Sequence, residues 1–529
     1  MSTTQEFKRS FLTKVLRNTF AAVGVRILMI IISILLIPFM IAKLGKQEFG
    51  VLALLGAATG YIGLFDVGFN AAFIKYISKY FTKGDTTEIN KIINSGLGFY
   101  ILWAGLVVAL SYFFLQLFLF FFSISPSLIE VTIFAFWLTI AALCLNNIFL
   151  IFGTVLSGIQ RIDISSVWTG VMVILRSMGI VVLLLLGLRI RGVVIINLLV
   201  VFLTGCINIV LCKRFLPGMS INLKRYFNWR TVRKLFNFGY KLQVSNISTI
   251  IFNNIDKILI GRFCGLEWVT FYQVGARILE KVKAIPQMFF AALLPGFSEI
   301  DALREKELIF QTYRKSAKLL GLIFLPVLLV IISASHSIIL LWLGKGFENA
   351  VYVVRVLGFG YCFFLFLGLG FTLATSMGKT GLVMRISIFQ SISNIFLSIL
   401  FINWFGFKGI VFGTFIALFG SFIFLTISLS HELEVKLKDF FSKDTCIVLL
   451  INVFAFLCSL FVGFMLTKFF GSGTRIDGLI AASAQIFCFA FIFIISQSIV
   501  KPLNHCELTA IPERMSYVSK MLRIFVRKI

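Results

Sequence analysis

Apolar runs of twenty or more residues recur from one end of this chain to the other, and they leave few folds open. Each can cross a hydrocarbon layer of ~30 Å as a helix. In lipid the backbone must satisfy its own hydrogen bonds, so an all-α membrane protein is the form such runs take. Fourteen spans can be drawn: 18–42, 48–73, 92–122, 131–155, 164–187, 192–212, 236–260, 267–297, 316–341, 348–377, 382–404, 409–430, 445–467 and 477–500. The third and eighth are long enough to tilt or protrude. The connecting segments are short and leave no room for a soluble catalytic domain.

Composition agrees: of 529 residues 59% are hydrophobic and 13% charged, with a mean hydropathy of +1.01. The net charge of +27 is placed as a topology signal rather than as a nucleic-acid surface. With a cytoplasmic N-terminus, Lys and Arg concentrate on the cytoplasmic side, most densely over Lys213 to Lys234 and Arg304 to Lys318. That bias puts both termini in the cytoplasm and attracts anionic headgroups. Met1 to Arg17 is polar, basic and followed by a full-length span, with no small-residue cleavage site, so it does not read as a removable signal. The nine cysteines lie mostly within spans, with no C-x-x-C spacing, and read as small apolar fillers. His336, His431 and His505 are too scattered to hold a metal, and neither metal nor cofactor is expected.

Two stretches of the chain are variants of one another. Ile41-Ala42-Lys43-Leu44 with Glu48-Phe49 returns as Ile260-Gly261-Arg262-Phe263 with Glu267-Trp268. Ser157-Gly158-Ile159-Gln160-Arg161 returns as Thr375-Ser376-Met377-Gly378-Lys379, and Arg191-Gly192-Val193 as Lys408-Gly409-Ile410. The offsets are 219, 218 and 217, in one order. The expected organisation is an N-lobe of spans 1–6 (1–212), a cytoplasmic amphipathic connector (213–235), a C-lobe of spans 7–12 (236–430), an added helix pair (431–500) and a basic tail (501–529). Six spans per copy relate the copies by an axis along the membrane normal, as parallel repeats of a transporter. In the connector Tyr226, Phe227 and Trp229 interleave with Lys224, Arg225, Arg230, Arg233 and Lys234, which suits a helix lying in the inner interface. The segment Tyr517 to Ile529 has the same pattern.

Charges within spans are costly, ~2.5–3.5 kcal/mol each by insertion scales, and should face protein or water. Arg26 in span 1 and Asp66 in span 2 lie at similar depth, as a pair that either fastens two helices or gates. Span 8 carries Arg277, Glu280, Lys281 and Lys283 just before Pro286, with Arg277 and Lys281 on one helical face. Such a segment is neutralised by neighbouring acids or faces an aqueous chamber that receives an anion. Arg176 and Arg355 are further candidates, while Lys257, beside Asp256, and Arg262 suit the outer interface. Cations outnumber acids within the spans, so the substrate reads as an anion, bound by Arg277, Lys281, Lys283, Arg26, Arg176 and Arg355, with Asp66 and Glu280 for coupling or gating.

The run Asn253-Asn254-Ile255-Asp256-Lys257-Ile258-Leu259-Ile260-Gly261, then Glu267, Phe271-Tyr272-Gln273-Val274-Gly275-Ala276-Arg277, Ile285-Pro286 and Leu294-Pro295, resembles the polysaccharide-biosynthesis flippases. These are the Wzx-type O-antigen transporters of the multidrug/oligosaccharidyl-lipid/polysaccharide exporter superfamily. Lys46-Gln47-Glu48-Phe49-Gly50, Leu64-Phe65-Asp66-Val67-Gly68 and Leu156-Ser157-Gly158-Ile159-Gln160-Arg161 are also similar to the family. The resemblance implies a V-shaped pair of six-helix lobes in the bacterial inner membrane, open alternately to each side. It implies an undecaprenyl-pyrophosphate-linked oligosaccharide as substrate, flipped from the cytoplasmic to the periplasmic leaflet. Membrane lipids, a polysaccharide polymerase and chain-length machinery are the implied partners, with no nucleic acid. On that reading the added spans 13–14 supply a groove for the polyprenyl tail, and Asn146, Asn147, Gln243 and Asn246 are sugar contacts or helix–helix hydrogen bonds.

Three alternatives stay open at the level of sequence. A lipid II flippase is the nearest, and a drug/cation antiporter of the same superfamily fits the cationic spans less well. A membrane polysaccharide polymerase or glycosyltransferase would call for a large periplasmic loop or paired carboxylates, and neither is present. The chain is therefore expected to be a transporter, not an enzyme.

Overall fold

The computed structural model describes residues 3–63, 69–303, 305–440, 443–470 and 474–500. Side chains of Arg26, Gln243 and Asn246, the whole of Asp66 and the segment 517–529 lie outside the described residues, and so do the expectations attached to them. The described secondary structure is helical: α1 (Thr3–Ile62), α2 (Phe69–Thr82), α3 (Thr86–Phe122), α4 (Pro126–Gly158), α5 (Ile162–Leu185), α6 (Arg189–Phe215), α7 (Leu223–Tyr226), α8 (Trp229–Phe263) and α9 (Leu266–Ala302). There follow α10 (Lys306–Ile323), α11 (Leu325–Ser333), α12 (Ser335–Leu343), α13 (Glu348–Ser376), α14 (Thr380–Phe405), α15 (Phe407–Leu433), α16 (Lys443–Phe470) and α17 (Arg475–Val500). Among the described residues eleven helices are long and apolar enough to cross a membrane, making this a multi-pass membrane protein.

Three departures from the drawn spans have local causes. Spans 1 and 2 share α1, which breaks at Gly45, where a φ of 78° admits glycine without a Cβ clash. Span 9 is divided into α10, α11 and α12. Pro326, at the start of α11, has no N–H to continue the ladder. The stretches drawn as spans 7 and 8 lie on α8 and α9, outside the eleven apolar helices found among the described residues, and on α9 Arg277, Glu280, Lys281 and Lys283 lower the hydropathy.

The turns that end helices recur at spacings of 220, 218 and 217 residues, within one residue of the repeat offsets. Left-handed residues stand at Gly45 and Gly265, at Gln160 and Gly378, and at Arg189 and Gly406. The middle pair is matched bond for bond. Arg161 N–H reaches Leu156 O at 2.8 Å and Lys379 N–H reaches Ala374 O at 2.8 Å. Gln160 N–H reaches Ser157 O at 3.0 Å and Gly378 N–H reaches Thr375 O at 3.1 Å.

By compactness the chain divides after Thr270, later than the repeat boundary drawn at 212. In the first unit α8, which opens the second copy by sequence, packs on α1, α2 and α3. Lys46 pairs with Glu267 at 2.9 Å, Thr270 Oγ1 donates to Lys46 O at 2.5 Å, and Arg262 Nη1 donates to Phe121 O at 3.0 Å. The core of this unit is Phe69, Phe73, Ile77, Ile93, Tyr100, Phe152, Val155 and Leu235.

The connector does not form one continuous helix. Between the end of α6 and the start of α8 it holds the single turn α7, and Asn228 caps α8 from Trp229 onward through Arg230 N–H at 2.8 Å. The stretch before α8 is strapped to α3 instead. Asn90 Nδ2 donates to Gly218 O (2.9 Å) while its Oδ1 accepts from Ser220 N–H (2.9 Å). Asn94 repeats the pattern with Ser220 O (2.8 Å) and Asn222 N–H (2.8 Å), and Ser95 Oγ accepts from Asn228 N–H (3.0 Å). Alternate backbone groups are thus satisfied by buried amides, as a neighbouring strand would satisfy them.

In the second unit the core is Phe310, Tyr313, Leu320, Leu369, Leu373, Ile386, Leu425, Leu429 and Phe440. Between helices in lipid there is no aqueous driving force, so close approach and polar bonds do the joining. Gly413 lets α15 approach α14 so closely that a Cβ there would stand 2.8 Å from Ser398 N. The added helices α16 and α17 are joined to the break between α11 and α12 by a buried network. Ser333 Oγ meets Ser459 Oγ at 2.9 Å, Ser337 Oγ donates to Gln485 Oε1 at 2.8 Å, and Gln485 Nε2 donates to Ser333 O at 3.1 Å. Asn452 Nδ2 donates to Gly321 O at 3.0 Å.

Candidate functional site

The basic group of α9 divides between two helix faces. Arg277 and Glu280 are exposed and Lys281 half-buried, and the four-residue spacing of Arg277 and Lys281 stacks them on one side. Lys283, two residues on, turns away from them. Its ammonium lies 4.2 Å from the ring centre of Phe364 and 5.3 Å from that of Tyr361, both on α13. A small cavity of about 140 Å³, lined by Lys283, Pro286, Phe324, Tyr361 and Phe364 among others, adjoins it. Cation–aromatic contacts of this kind steady a charge in a dry setting. Arg355, also on α13, donates from Nε to Ser335 Oγ at 3.0 Å. The structure therefore groups Arg277, Glu280 and Lys281, and sets Lys283 and Arg355 apart on aromatic and hydroxyl partners.

Arg176 belongs to the first unit and lines a different feature. Between α1, α4, α5 and α6 lies a cavity of about 300 Å³ whose walls include Arg176, Asn146, Asn197, Asn208, Thr169 and Thr204. Asn146 had been picked out in sequence; Asn197, Thr204 and Asn208 had not. Their spacing, seven and then four residues, places them on one face of α6, a polar stripe that helical periodicity could have found. Asn147, by contrast, is turned inward and buried.

Other ionisable groups are more deeply placed than their positions in the sequence implied. Lys257 is 9% exposed and Asp256 fully buried, so this pair sits inside the first unit. Arg262 is exposed, over the Phe121 ring. Lys318, which read as one more basic residue of a loop-proximal run, is 5% exposed and pairs with Asp444 at 3.4 Å. The described cysteines are free thiols, in keeping with their reading as apolar fillers. Burial pushes the thiol of Cys264, in the α8–α9 turn, up to about 11.

The family profile described as "Polysaccharide biosynthesis protein" matches residues 15–301. The chain belongs to this family. The resemblance to Wzx-type polysaccharide flippases read from the residues holds. A Shigella flexneri protein called "Putative O-antigen transporter" is 23% identical over 354 residues, covering 66% of this chain and 82% of that one. The Bacillus subtilis teichuronic acid biosynthesis protein TuaB is 29% identical over 132 residues, 25% of this chain and 27% of the relative. Among solved structures, the lipid II flippase MurJ in an inward closed conformation matches with a TM-score of 0.66 at 18% identity, covering 91% of this chain and 98% of that one. An inward-facing multidrug-resistance transporter of the MATE family matches with a TM-score of 0.61 at 14% identity, over 78% and 98% of the two chains. At such identities these likenesses establish the transporter fold.

Proposed function

We propose that the protein is a flippase for undecaprenyl-pyrophosphate-linked oligosaccharide repeat units, O-antigen or a related surface polysaccharide, acting in the bacterial inner membrane. The observation that carries this reading is a family member with guanidinium and ammonium groups stacked on one face of a membrane helix, Arg277 and Lys281. A diphosphate crossing the membrane needs fixed cations in a wet path, and forked or point donors supply them. The recurring left-handed turns support two parallel six-helix copies, and the concentration of Lys and Arg over Lys213 to Lys234 and Arg304 to Lys318 supports cytoplasmic termini. Alternating access by such copies moves the head group, and the polyprenyl tail stays in lipid. An apolar groove of about 170 Å³, bounded by Tyr313, Phe363, Phe366 and Phe422 with Leu449 of α16, supports a tail-binding role for the added helices.

Within this reading Arg277, Lys281 and Arg176 meet substrate, and Glu280 beside them couples or gates. Lys283 and Arg355 hold substrate less directly, since aromatic rings and Ser335 already engage them. Replacing Arg277 or Lys281 with Ala should abolish surface polysaccharide at normal protein levels; normal polysaccharide in both variants refutes the anion path. Deleting the gene should accumulate completed, cytoplasm-facing lipid-linked repeat units. Unpolymerised units exposed on the periplasmic side would point to a polymerase, and accumulation of lipid II to the peptidoglycan pathway.

A further inference from the structure

We propose that the first unit holds an acidic phospholipid of the surrounding bilayer by its phosphate, where α2 stops and α8 starts. The site is made by Lys75, Lys79 and Lys234, set on the rings of Tyr76 and Tyr80. This lipid is a fixed neighbour, distinct from the carrier that the flippase reading moves.

Aromatic rings hold the three ammoniums in place. Helix α2 packs on α8, and Lys75 Nζ of α2 lies 4.0 Å from the ring centre of Phe238 on α8 and 5.6 Å from that of Tyr76. From α8, Lys234 Nζ lies 4.5 Å from the Tyr76 centre and 5.2 Å from that of Tyr80, and donates to the Tyr80 hydroxyl at 2.9 Å. Lys79 Nζ stands 5.8 Å from the Tyr80 centre. Each tyrosine thus serves two cations, and Tyr76 is braced edge to face by Phe238 at 6.1 Å. A ring steadies an ammonium but leaves most of its three donors unspent.

No carboxylate neutralises the group. Among the described residues none of the three lysines pairs with Asp or Glu. The acids that follow α2 are committed elsewhere: Asp85 caps α3 through Glu88 N–H at 3.0 Å, and Glu88 pairs with Lys91 at 2.7 Å. Like charges gathered on two helices repel, and a bound phosphate relieves that repulsion. A zwitterionic headgroup would bring a further cation to the site, so the occupant is acidic.

The surroundings favour a lipid over an anion from water. Lys75, Lys79 and Lys83 follow at four-residue spacing along one side of α2 to its end at Thr82. On the same two helices Ile74, Phe81 and Trp229 are exposed. Acyl chains cover such side chains, and Trp and Lys together mark the edge of a bilayer, where basic pockets between helices take acidic headgroups. The repeat itself does not call for these cations. At offsets of 218 or 219, Lys75 falls on Leu293 or Leu294, and Lys79 on Phe297 or Ser298.

The test uses the full-length protein in detergent micelles, titrated with phosphatidylglycerol or phosphatidylcholine and read lipid by lipid with native mass spectrometry. The first phosphatidylglycerol should bind more tightly than the first phosphatidylcholine by about tenfold, the worth of a charge-assisted bond. Lys75→Gln and Lys234→Gln should each remove most of that preference, while Lys75→Arg, which keeps charge and donors, should retain it. Lys224→Gln, on the turn α7, should change it by less than about twofold, as a screened surface charge does. Equal binding of the two lipids overturns the inference. So does a loss in Lys224→Gln as large as in Lys75→Gln, which would reduce the site to diffuse surface charge. Inorganic pyrophosphate that strips phosphatidylglycerol from the wild-type protein would overturn it as well, and make the lysines a docking point for a diphosphate.

Discussion

Asn94→Ala should loosen the strap that carries the chain from α6 to α8, and the structure sets the size of the effect. Asn94 is fully buried and makes three hydrogen bonds. One, to Asn90 O at 2.8 Å, is to a carbonyl that the helix also uses, so its loss orphans nothing. The other two, to Ser220 O and from Asn222 N–H, hold backbone groups of the strap. At ~1 kcal/mol net per bond, and up to 3 where a group is left buried and unmet, the variant should lose about 2 kcal/mol, because water can reach the exposed Asn222 side. That is about a thirtyfold shift in the unfolding equilibrium. Asn94→Asp, which keeps the acceptor for Asn222 but sets a buried carboxylate oxygen against the Asn90 and Ser220 carbonyls, should lose more than the alanine variant. Adding Asn90→Ala should cost less than it does alone, because a strap already released has little left to lose. SDS-titrated unfolding in mixed micelles measures the energy, and limited proteolysis within 216–228 reports the strap. A loss below about 0.5 kcal/mol with unchanged cleavage would refute the idea that these amides hold the segment.

Gln160 occupies a left-handed position that Gly378 fills in the second copy, so Gln160→Gly should stabilise the protein and Gly378→Gln destabilise it, each by about 1 kcal/mol. Thermal unfolding of the pair in one detergent checks the opposite signs. Asp444→Asn should strand the buried ammonium of Lys318 and cost about 1–3 kcal/mol, the half-exposed carboxylate limiting the loss, while adding Lys318→Met should recover most of it. A double-mutant cycle reads the recovery directly. Lys306, 2.5 Å from Glu434, holds that carboxyl below its usual range, so its contribution is present above the unfolded value of about 4.3 and is lost as pH falls through the lower folded one. Glu434→Gln should flatten that acid limb of the stability profile, and an unchanged limb would show that Glu434 plays no part in it.

The helices were legible because length and apolarity in lipid nearly dictate them, and the family was legible in the Asn253–Arg277 run. What sequence misjudged was direction. Lys283 looked like a third member of the Arg277–Lys281 group, yet two residues along a helix rotate a side chain by about 200°. Its place beside Tyr361 and Phe364 depends on a helix far along the chain. The path of the connector was hidden for a similar reason. Its basic and aromatic residues suit an interface, but the two asparagines that fix its path belong to α3, more than a hundred residues earlier, and no local pattern announces them. The α6 polar stripe was readable in principle, because a run of Leu, Val and Ile hides Asn197, Thr204 and Asn208 only until they are plotted on a wheel.

The division after Thr270 bears on how such a chain can be taken apart. The repeat boundary drawn from the sequence lies near residue 212, but α8 packs on α1, α2 and α3 of the first unit and is tied there by Arg262. A polypeptide cut near residue 212 would lose that packing. Fragments meant for coexpression are better split after Thr270, past the α8–α9 turn at Gly265, so that Glu267 and Thr270 stay with the Lys46 they bond.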